Sequence, residues 1–392
     1  IDGLPEGAVA HPSTTPNSAE SADLLVVSPG VDTFGPLVES FSAHAGETIG
    51  EVELAYRFFR GRIIAITGTN GKTTTTELVE RILRASGEDS VACGNYGVPV
   101  CEVVMRDPQP TALALEASSF QLETIVDFRP DVAVWLNFAP DHMDRYPDVD
   151  SYRNAKLRLF ENLSEKEAAV IRFGEGIEPA TRIVTFSTDD ESADWFSDGQ
   201  WIRHHGEPVI DMHEGTHLRG LHNAENAMAA IAACEEFGVS REAVKQAFDG
   251  YAPPRHRCEL VRIHDQVEWL NDSKATNLHA LESALRSQTR PVVLIAGGKQ
   301  KGLDYRPLLP LLTERASAVV TFGEIGPALA GLIGDRVPCQ AVETLAEAVG
   351  QAGAQAEAGS TVLFSPGTSS FDQFAGYEQR GDVFCQLVQE LR

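Results

Sequence analysis

Short runs of aliphatic and β-branched residues alternate with longer amphipathic segments along most of the chain. This alternation predicts an α/β fold, in which parallel strands are covered by helices. Ligands in such folds bind outside the carboxyl ends of the strands, and the unusual polar residues of this sequence stand at those ends. The predicted strands occupy residues 24–28, 62–67, 112–115, 132–137, 292–296, 319–322 and 361–365.

A glycine-rich loop follows the strand at 62–67 and precedes a helical pattern. A strand, a tight turn and a helix in this order direct unpaired backbone N–H groups and the helix dipole at one anion. Lys72 is placed to neutralise phosphate charge, and the Thr73 hydroxyl to bind magnesium. Because Ile66 replaces the first glycine of the general pattern, an ordinary glycine turn is the alternative. The predicted ATP phosphate loop comprises Gly68, Thr69, Asn70, Gly71, Lys72, Thr73 and Thr74.

Acidic and imidazole side chains follow two further strands. Glu116 ends the strand at 112–115, a position from which a carboxylate holds magnesium or orients a nucleophile. Asp141, His142 and Asp144 form a second cluster of hard ligands after the strand at 132–137. Each cluster alone is equally well explained as a solvated strand end. Together, beside a phosphate loop, they favour metal-assisted phosphoryl chemistry.

Lys156 interrupts an apolar helical stripe. Residues 150–163 have helical periodicity, and Asp150 or Ser151 is the expected N-cap. A lysine on such a stripe either extends its ammonium to solvent or has a neutral, reactive amine. Both explanations stay open from the residues alone. The stripe contains Tyr152, Lys156, Leu159, Phe160 and Leu163.

Charge and composition narrow the class of protein. The formal charge of −25 disfavours nucleic acid and anionic membrane surfaces as partners. Any bound phosphate must then be met by loop amides, a few lysines and metal ions. No apolar run approaches the length of a membrane span. Six separated cysteines without a CxxC pair favour a reducing, cytoplasmic compartment over a disulfide framework or a zinc site.

The length of 392 residues predicts two or three domains. Linkers are expected near 48–51 and at 252–255, where consecutive prolines stop the preceding helix. The predicted domains are therefore 1–50, 51–253 and 254–392. The chain opens at Ile1 without a methionine and reaches its first strand after a stretch rich in Pro, Ser and Thr. We interpret the first domain as one that has lost its beginning.

Nine motifs, found in order along the chain, resemble those of the Mur ligase family. The resemblance covers nearly the whole chain from Ser28. EASSFQLE, NDSKATN and SPGTSSFDQF point to the members of the family that add glutamate. The motifs are GTNGKTT (68–74), GNYG (94–97), EASSFQLE (116–123), DHMDRYPD (141–148), YRNAK (152–156), HNAEN (222–226), PRHR (254–257), NDSKATN (271–277) and SPGTSSFDQF (365–374).

The resemblance implies a three-domain Mur ligase architecture: a partial Rossmann-like domain for a UDP substrate, a central P-loop ATPase domain and a Rossmann-like C-terminal domain. It also implies a reaction. ATP phosphorylates the carboxylate of UDP-N-acetylmuramoyl-L-alanine, and the D-glutamate amine attacks the acyl phosphate, giving an amide, ADP and phosphate. The implied metal is Mg²⁺. The implied setting is peptidoglycan precursor synthesis, and hence cell shape and division, by a cytoplasmic monomer.

The resemblance also implies roles for residues at the phosphates. Thr73 and Glu116 would hold magnesium, while His142 and Lys156 would serve a second ion, with Lys156 carbamylated. Domain closure would bring Arg257 to the nucleotide. The implied nucleotide contacts outside the loop are Asn226, Arg257 and Asp272. The implied catalytic residues are Lys72, Glu116, His142, Lys156 and Lys274.

Substrate contacts follow from the same resemblance. Ser28 and Gly30 would bind the UDP end, and Asn95 and Ser118 the muramoyl-alanine moiety. A dicarboxylate such as D-glutamate requires cationic and neutral donors at both ends. The implied contacts of D-glutamate and the reacting phosphate are His256, Lys274, Thr276, Lys301, Ser370, Phe371 and Tyr377.

Two alternatives remain at the level of sequence. One is another ATP-dependent amide ligase of the same superfamily, either a different Mur ligase or a folylpolyglutamate synthase. The other is a non-catalytic nucleotide-sensing protein descended from this fold. The second alternative predicts loss of Lys72, Glu116 or Lys156, and all three are present.

Overall fold

The computed structural model describes residues 14–391 other than 19, 144, 215, 217, 219 and 252–254. The chain divides into two compact units. Unit 1 comprises Ile1–Ile171, Glu175–Val184 and Ala232–Ser240; unit 2 comprises Arg172–Gly174, Thr185–Ile231 and Arg241–Arg392. The predicted linker at 252–255 lies largely outside the described residues. No helix in the described part of the chain is long and apolar enough to cross a membrane.

The α/β character predicted from the sequence is confirmed by the order of the elements. In the described residues the strands are β1 (Ala22–Val27), β2 (Ala45–Gly50), β3 (Arg62–Thr67), β4 (Ser90–Gly94), β5 (Ala112–Glu116), β6 (Val132–Trp135), β7 (Ala168–Arg172), β8 (Arg182–Ser187), β9 (Trp195–Ser197), β10 (Trp201–His204), β11 (Glu207–Asp211), β12 (Glu259–His264), β13 (Val267–Asn271), β14 (Val292–Gly297), β15 (Ala316–Phe322), β16 (Cys339–Ala341) and β17 (Thr361–Phe364).

Helices alternate with most of these strands. In the same residues they are α1 (Pro36–Ser42), α2 (Glu51–Phe58), α3 (Lys72–Ala85), α4 (Val100–Val104), α5 (Ser119–Leu122), α6 (Val149–Leu157), α7 (Leu221–Phe237), α8 (Arg241–Phe248), α9 (Leu278–Arg286), α10 (Leu309–Arg315), α11 (Gly326–Ile333), α12 (Leu345–Gln355) and α13 (Tyr377–Gln389).

Unit 1 is built on parallel strands in the order β4-β5-β3-β6-β7. Ile63, Ile64, Ala65 and Ile66 of β3 are all buried, as expected for a strand covered by helices on both faces. Glu116 pairs with Ile66 in register, so the segments that follow β3 and β5 leave the sheet at the same edge. Strands β1 and β2 form a separate parallel pair, and the turn at 28–33 follows β1.

Unit 2 contains a second sheet in the order β12-β13-β17-β14-β15-β16. Successive residues of β14 pack into two different cores: Val292 and Leu294 into one, Val293 and Ile295 into the other. A period of two between opposite faces is the geometry of a strand, and both faces are covered. Strands β13, β17 and β14 are parallel neighbours, so their carboxyl ends form one edge.

The sequence analysis predicted alternating strands and helices and did not predict the antiparallel strands β9, β10 and β11. Strand β10 pairs antiparallel with both β9 and β11. The turn between β10 and β11 has positive φ at His205 (48°) and Gly206 (85°), the backbone of a tight hairpin turn. The Asp198-Gly199 pair before β10 is the sequence signal that predicts such a hairpin.

Two local expectations are wrong. Helix α6 is capped by Asp148, whose carboxylate accepts from the Ser151 amide, because Asp148 is the residue that takes the extended backbone of an N-cap. The helix also ends at Leu157 and continues as a single 3₁₀ turn. The expected linker at 48–51 is regular structure, since β2 runs to Gly50 and α2 begins at the next residue. The predicted domain boundaries stay predictions.

Candidate active site

The glycine loop of unit 1 is anchored to the segment that follows β6. The Thr69 amide donates to the Asn137 carbonyl at 3.0 Å. The Asn70 amide donates to Asn137 Oδ1 at 2.9 Å, and Asn137 Nδ2 donates back to the Asn70 carbonyl at 3.1 Å. Gly71 has φ of 83°, a left-handed conformation that favours glycine. These hydrogen bonds fix the loop at the start of α3 to the segment after β6.

Two lysines converge on one carbonyl of this loop. Lys72 Nζ donates to the Gly68 carbonyl at 3.0 Å and to the Thr69 carbonyl at 2.9 Å. Lys156 Nζ donates to the same Gly68 carbonyl at 2.9 Å, and its residue is only 2% exposed. Of the two explanations left open by the sequence, extension of the Lys156 ammonium to solvent is therefore wrong. The buried lysine faces the phosphate loop.

Its surroundings favour a neutral Lys156 amine. Burial lowers the pKa of Lys156 well below its ordinary value, and the nearby Lys72 charge lowers this pKa further. The Asp141 and Glu116 carboxylates act in the opposite direction. A buried cation beside another cation is costly unless a partner neutralises it. All four charged side chains therefore belong to one electrostatic cluster.

Glu116, at the end of β5, has one satisfied and one unsatisfied oxygen. Asn95 Nδ2 donates to Oε1 at 2.7 Å, and the Asn95 amide donates to the Glu116 carbonyl at 2.9 Å. Oε2 is buried and has no hydrogen-bond partner among the described residues. Gly94 permits this approach, because a Cβ there would lie 2.4 Å from the Glu116 carbonyl oxygen. The structure thus brings the predicted residues Asn95 and Glu116 together.

The unsatisfied Glu116 oxygen fits a divalent cation. Magnesium is bound in proteins by one or two carboxylates together with phosphate oxygens and water. No described residues form a group of three or more His, Cys, Asp or Glu side chains able to hold a metal. The available donors are instead mixed: the Glu116 carboxylate and the hydroxyl of Thr73, the second residue of α3. Such a set suits a magnesium ion that also binds nucleotide phosphate.

His142 lies in an exposed turn rather than in the buried cluster. Its φ is 58°, and its ring packs edge-on against Phe120 at 4.9 Å and Tyr152 at 5.9 Å between centroids. Its side chain is 45% exposed. Tyr152 also receives the Lys156 ammonium over its ring at 4.8 Å. The aromatic side chains therefore hold the two predicted second-ion ligands near one ring.

The predicted substrate contacts of unit 1 lie in turns. Ser28 and Gly30 are exposed in the turn after β1. Ser118 is the N-cap of α5, where its hydroxyl and Gln121 form a capping box. Its hydroxyl therefore has a structural role that the sequence analysis did not foresee.

In unit 2, Asp272 follows β13 and is buried. Its Oδ2 accepts from the Ser365 hydroxyl at 2.8 Å, and its Oδ1 accepts from the Cys258 amide at 3.3 Å. Burial raises the pKa of Asp272 to about 7, although these hydrogen bonds and Arg257 act against the rise. The effect of Arg257 on this pKa shows that Arg257 is close to Asp272. These are two of the three residues predicted to contact the nucleotide outside the glycine loop.

Lys274 and Tyr377 form a pair near the same edge of the sheet. Lys274 Nζ donates to the Tyr377 hydroxyl at 3.1 Å. His256 is buried, has φ of 67°, and shares a hydrogen bond of 2.9 Å between its Nδ1 and Asn271 Nδ2. Burial lowers the pKa of His256. The His256 ring lies 6.4 Å from that of Tyr377, so three predicted substrate contacts are neighbours.

The remaining predicted residues of unit 2 differ in exposure. Ser370 is buried, whereas Phe371 is 66% exposed and Lys301 is exposed in the loop after β14. Thr276 is half-buried just before the Asn277 N-cap of α9. Asn226 is buried on α7, with its Nδ2 at 3.4 Å from Asn223 Oδ1. An exposed phenylalanine beside buried polar groups suits a ligand contact better than a core position.

Sequence analysis missed Arg380, a buried arginine of α13. It donates to the Ser273 hydroxyl and carbonyl, at 3.1 and 2.7 Å, and to the Thr368 carbonyl at 3.1 Å. These bonds join the two loops that carry Lys274 and Ser370. The signal was available: Arg380 shares a helical face with Phe384 and Val388, so it is a charge on an apolar stripe, as Lys156 is.

Comparison with known proteins agrees with this geometry. The family model described as "Mur ligase middle domain" matches residues 66–234, and the model described as "Mur ligase, glutamate ligase domain" matches residues 256–367. The chain is thus a ligase, and it belongs to the Mur ligase family.

Curated relatives identify the branch of the family. The UDP-N-acetylmuramoylalanine–D-glutamate ligase of Nitratidesulfovibrio vulgaris is 41% identical over 386 residues, covering 96% of this chain and 84% of that protein. The ligase of the same name from Trichlorobacter lovleyi is 40% identical, covering 95% and 85%. The chain therefore groups with the D-glutamate-adding Mur ligases.

Solved structures support the fold alone. The MurF ligase of Thermotoga maritima in complex with ADP superposes with a TM-score of 0.63 at 15% identity, covering 96% of this chain and 97% of that one. The E. coli FolC structure in complex with ADP gives 0.62 at 19% identity, covering 86% and 92%. At such identities the likeness does not choose among the ligases of the superfamily.

Proposed function

We propose that the chain is an ATP-dependent ligase that joins D-glutamate to UDP-N-acetylmuramoyl-L-alanine through an acyl phosphate. The name of the curated relatives supports these substrates. The observation that carries the chemistry is the cluster of Lys72, Lys156 and the unsatisfied oxygen of Glu116 at the glycine loop. The predicted domains, cytoplasmic location and monomeric state are part of the same proposal.

The first step transfers a phosphoryl group. A carboxylate oxygen of the UDP substrate attacks the γ-phosphorus of ATP, the bond to the β–γ bridging oxygen breaks, and ADP leaves. Both reactants are anions, so positive charge must offset their repulsion. Lys72, on the loop, is placed to bind the phosphates. Thr73 and Glu116 would hold magnesium, which when bound screens the like charges of the two reactants.

The second step forms the amide. The neutral amine of D-glutamate attacks the acyl carbon, the tetrahedral intermediate expels phosphate, and the nitrogen loses a proton. Lys274, Thr276 and Ser370 are the proposed donors to the amino acid, with His256, Lys301, Phe371 and Tyr377 completing its contacts. Asn226, Arg257 and Asp272 are proposed to bind the nucleotide. Ser28, Gly30, Asn95 and Ser118 are proposed to bind the UDP substrate.

Lys156 is proposed to act as a carbamate. Its neutral amine attacks carbon dioxide, the N–C bond forms, one C–O π pair moves to oxygen, and a proton is released. The product is an anion, which forms a favourable charge pair with the Lys72 ammonium. With His142, this group would serve the second ion. The lowered pKa of Lys156 supports the neutral amine that the addition requires.

A phosphate-release assay tests the function. Phosphate formation should require ATP, UDP-N-acetylmuramoyl-L-alanine and D-glutamate together, with L-glutamate, D-alanine, L-lysine and diaminopimelate as matched alternatives. Activity with another amino acid, but not D-glutamate, would favour a different Mur ligase. Activity with a folate acceptor would favour a folylpolyglutamate synthase, and nucleotide binding without turnover would favour a sensing protein.

A further inference from the structure

Arg145 joins three segments of unit 1 that are far apart in sequence. Its Nη1 donates to the Pro29 carbonyl at 3.0 Å, and its Nη2 donates to the Thr33 hydroxyl at 3.1 Å. The same Nη2 donates to Glu123 Oε2 at 2.6 Å. Its guanidinium also stacks on the Phe120 ring, 4.1 Å from the centroid. One side chain thus connects the turn after β1 with the segment around α5.

The ion pair within this junction is protected from water. The side chain of Glu123 is 1% exposed and that of Arg145 is 12% exposed. Exposed ion pairs contribute little, but removing one partner of a buried pair leaves an uncompensated charge. The Tyr146 hydroxyl also donates to Glu123, and burial together with this carboxylate raises the pKa of Tyr146. Glu123 is therefore bound by two consecutive residues of one turn.

This turn also fixes His142. The amides of Arg145 and Tyr146 both donate to the His142 carbonyl at 3.0 Å. The Phe120 ring contacts both the Arg145 guanidinium and the His142 ring, whose centroid is 4.9 Å from that of Phe120. A change in the position of Arg145 would therefore disturb His142, either through the hydrogen bond to its carbonyl or through the Phe120 ring that packs against its imidazole.

We propose that Arg145, paired with Glu123, is a positioning residue that couples the turn at 28–33 to His142. The proposal rests on the proposed function, which makes Ser28 and Gly30 of this turn contacts of the UDP substrate. Arg145 acts through the backbone of Pro29 and through Thr33, without contacting a reacting atom. Its loss should loosen the turn and weaken binding of the UDP substrate, while the glycine loop keeps its own anchor at Asn137.

The test compares Arg145→Met and Arg145→Lys with Arg158→Met in the whole chain. Arg158 is a matched control because it donates to the carbonyls of Glu123 and Ile125. Among the described residues, its side chain makes no hydrogen bond or ion pair with the turn at 28–33. Arg145→Met should raise the KM for UDP-N-acetylmuramoyl-L-alanine about tenfold and change the KM for ATP less than about twofold. Arg145→Lys should fall between it and wild type.

Arg158→Met should lower the thermal unfolding midpoint without changing either KM. Equal KM values for the UDP substrate in Arg145→Met and Arg158→Met would overturn the proposal and leave Arg145 a structural residue. If Arg145→Met does not fold, Thr33→Val removes one of the two acceptors on the turn, leaves the Pro29 carbonyl in place, and should still raise this KM about twofold. An unchanged KM in that variant and in Arg145→Lys would also overturn the proposal.

Two results separate this inference from the proposed function. If the wild type turns over both substrates but the Arg145 variants keep its KM for the UDP substrate, only the positioning role is refuted. Absence of wild-type turnover with UDP-N-acetylmuramoyl-L-alanine and D-glutamate refutes the proposed function, and the inference fails with it. Calorimetric titration of the UDP substrate into each variant compares binding without catalysis. The dissociation constant of Arg145→Met is expected to be about tenfold larger than that of the wild type.

Discussion

Lys72 and Lys156 donate hydrogen bonds to the same carbonyl oxygen, that of Gly68. One of these lysines begins the helix after the glycine loop, and the other lies on a helix that starts more than 70 residues later. Their shared acceptor places the Lys72 ammonium close to the Lys156 amine. Burial, and then this nearby charge, lower the pKa of Lys156, and an anionic ligand is favoured beside the Lys72 ammonium.

Replacing Lys72 tests the phosphate role. Lys72→Ala should lower phosphate release by about 10²- to 10³-fold, because a cation aimed at the transferred group is lost. The free energy of unfolding should change by less than about 1 kcal/mol, since the Lys72 side chain is half-buried and water can replace its hydrogen bonds to the loop carbonyls. Unchanged kinetics would contradict the assignment, whereas global unfolding in circular dichroism would make Lys72 structural.

Replacing Lys156 tests the carbamate. Lys156→Ala should abolish measurable turnover, and millimolar formate or acetate should restore part of it by placing a carboxylate in the space left by the side chain. Lys72→Ala with the same additives is the control and should show no recovery. Full activity of Lys156→Ala would remove this residue from the mechanism. Recovery in both variants would show that the additive acts elsewhere.

The raised pKa of Asp272 predicts a pH-dependent stability. The folded protein retains this proton up to about pH 7, whereas the unfolded chain releases it near 3.8. The native state then binds more protons between these values, so the stabilising contribution is full below pH 3.8 and is lost as pH rises to 7. At about 1.4 kcal/mol per pH unit, the total is at most about 4 kcal/mol.

Asp272→Asn should remove this dependence. The thermal midpoint of the variant relative to wild type should rise from pH 5 to pH 8, because the wild type alone must charge a buried carboxyl. Weaker ATP binding should accompany the change if Asp272 contacts the nucleotide. Parallel pH profiles of stability in the two proteins would refute the protonation of Asp272 in the folded state.

The conformation of Gly68 predicts a steric effect. Gly68 has φ of 153°, and a Cβ there would lie 2.9 Å from Leu136 Cβ. Gly68→Ala should therefore destabilise the protein by about 1–3 kcal/mol and raise the KM for ATP. Gly350→Ala, in α12 with no atom within 4 Å of the new Cβ, should instead stabilise by about 0.5–1 kcal/mol. Urea unfolding distinguishes them, and equal effects would contradict the steric argument.

The sequence alone predicted seven strands, all of them part of the structure, and named most of the candidate residues, but it did not predict the antiparallel strands β9, β10 and β11. The period of two in β14 and the apolar stripe of α6 are local properties of the chain, so they predict a buried strand and a buried helical face without tertiary information. Glycines at 68 and 71 specify a loop for the same reason, because few other residues adopt its backbone. The N-cap of α6 was predicted two or three residues too late, since several neighbouring polar residues can cap a helix equally well.

Only the tertiary structure decided what these residues contact. Whether Lys156 reaches solvent or the glycine loop depends on the position of β3, a strand nearly 90 residues earlier in the chain. The pattern of residues around Lys156 carries no information about how close that strand lies in space. The same holds for Glu116, whose single unsatisfied oxygen is defined by Asn95 at the end of a neighbouring strand. Hydrogen bonding and desolvation act between atoms that are close in space. Sequence patterns identified the charged side chains, and the fold assigned their partners.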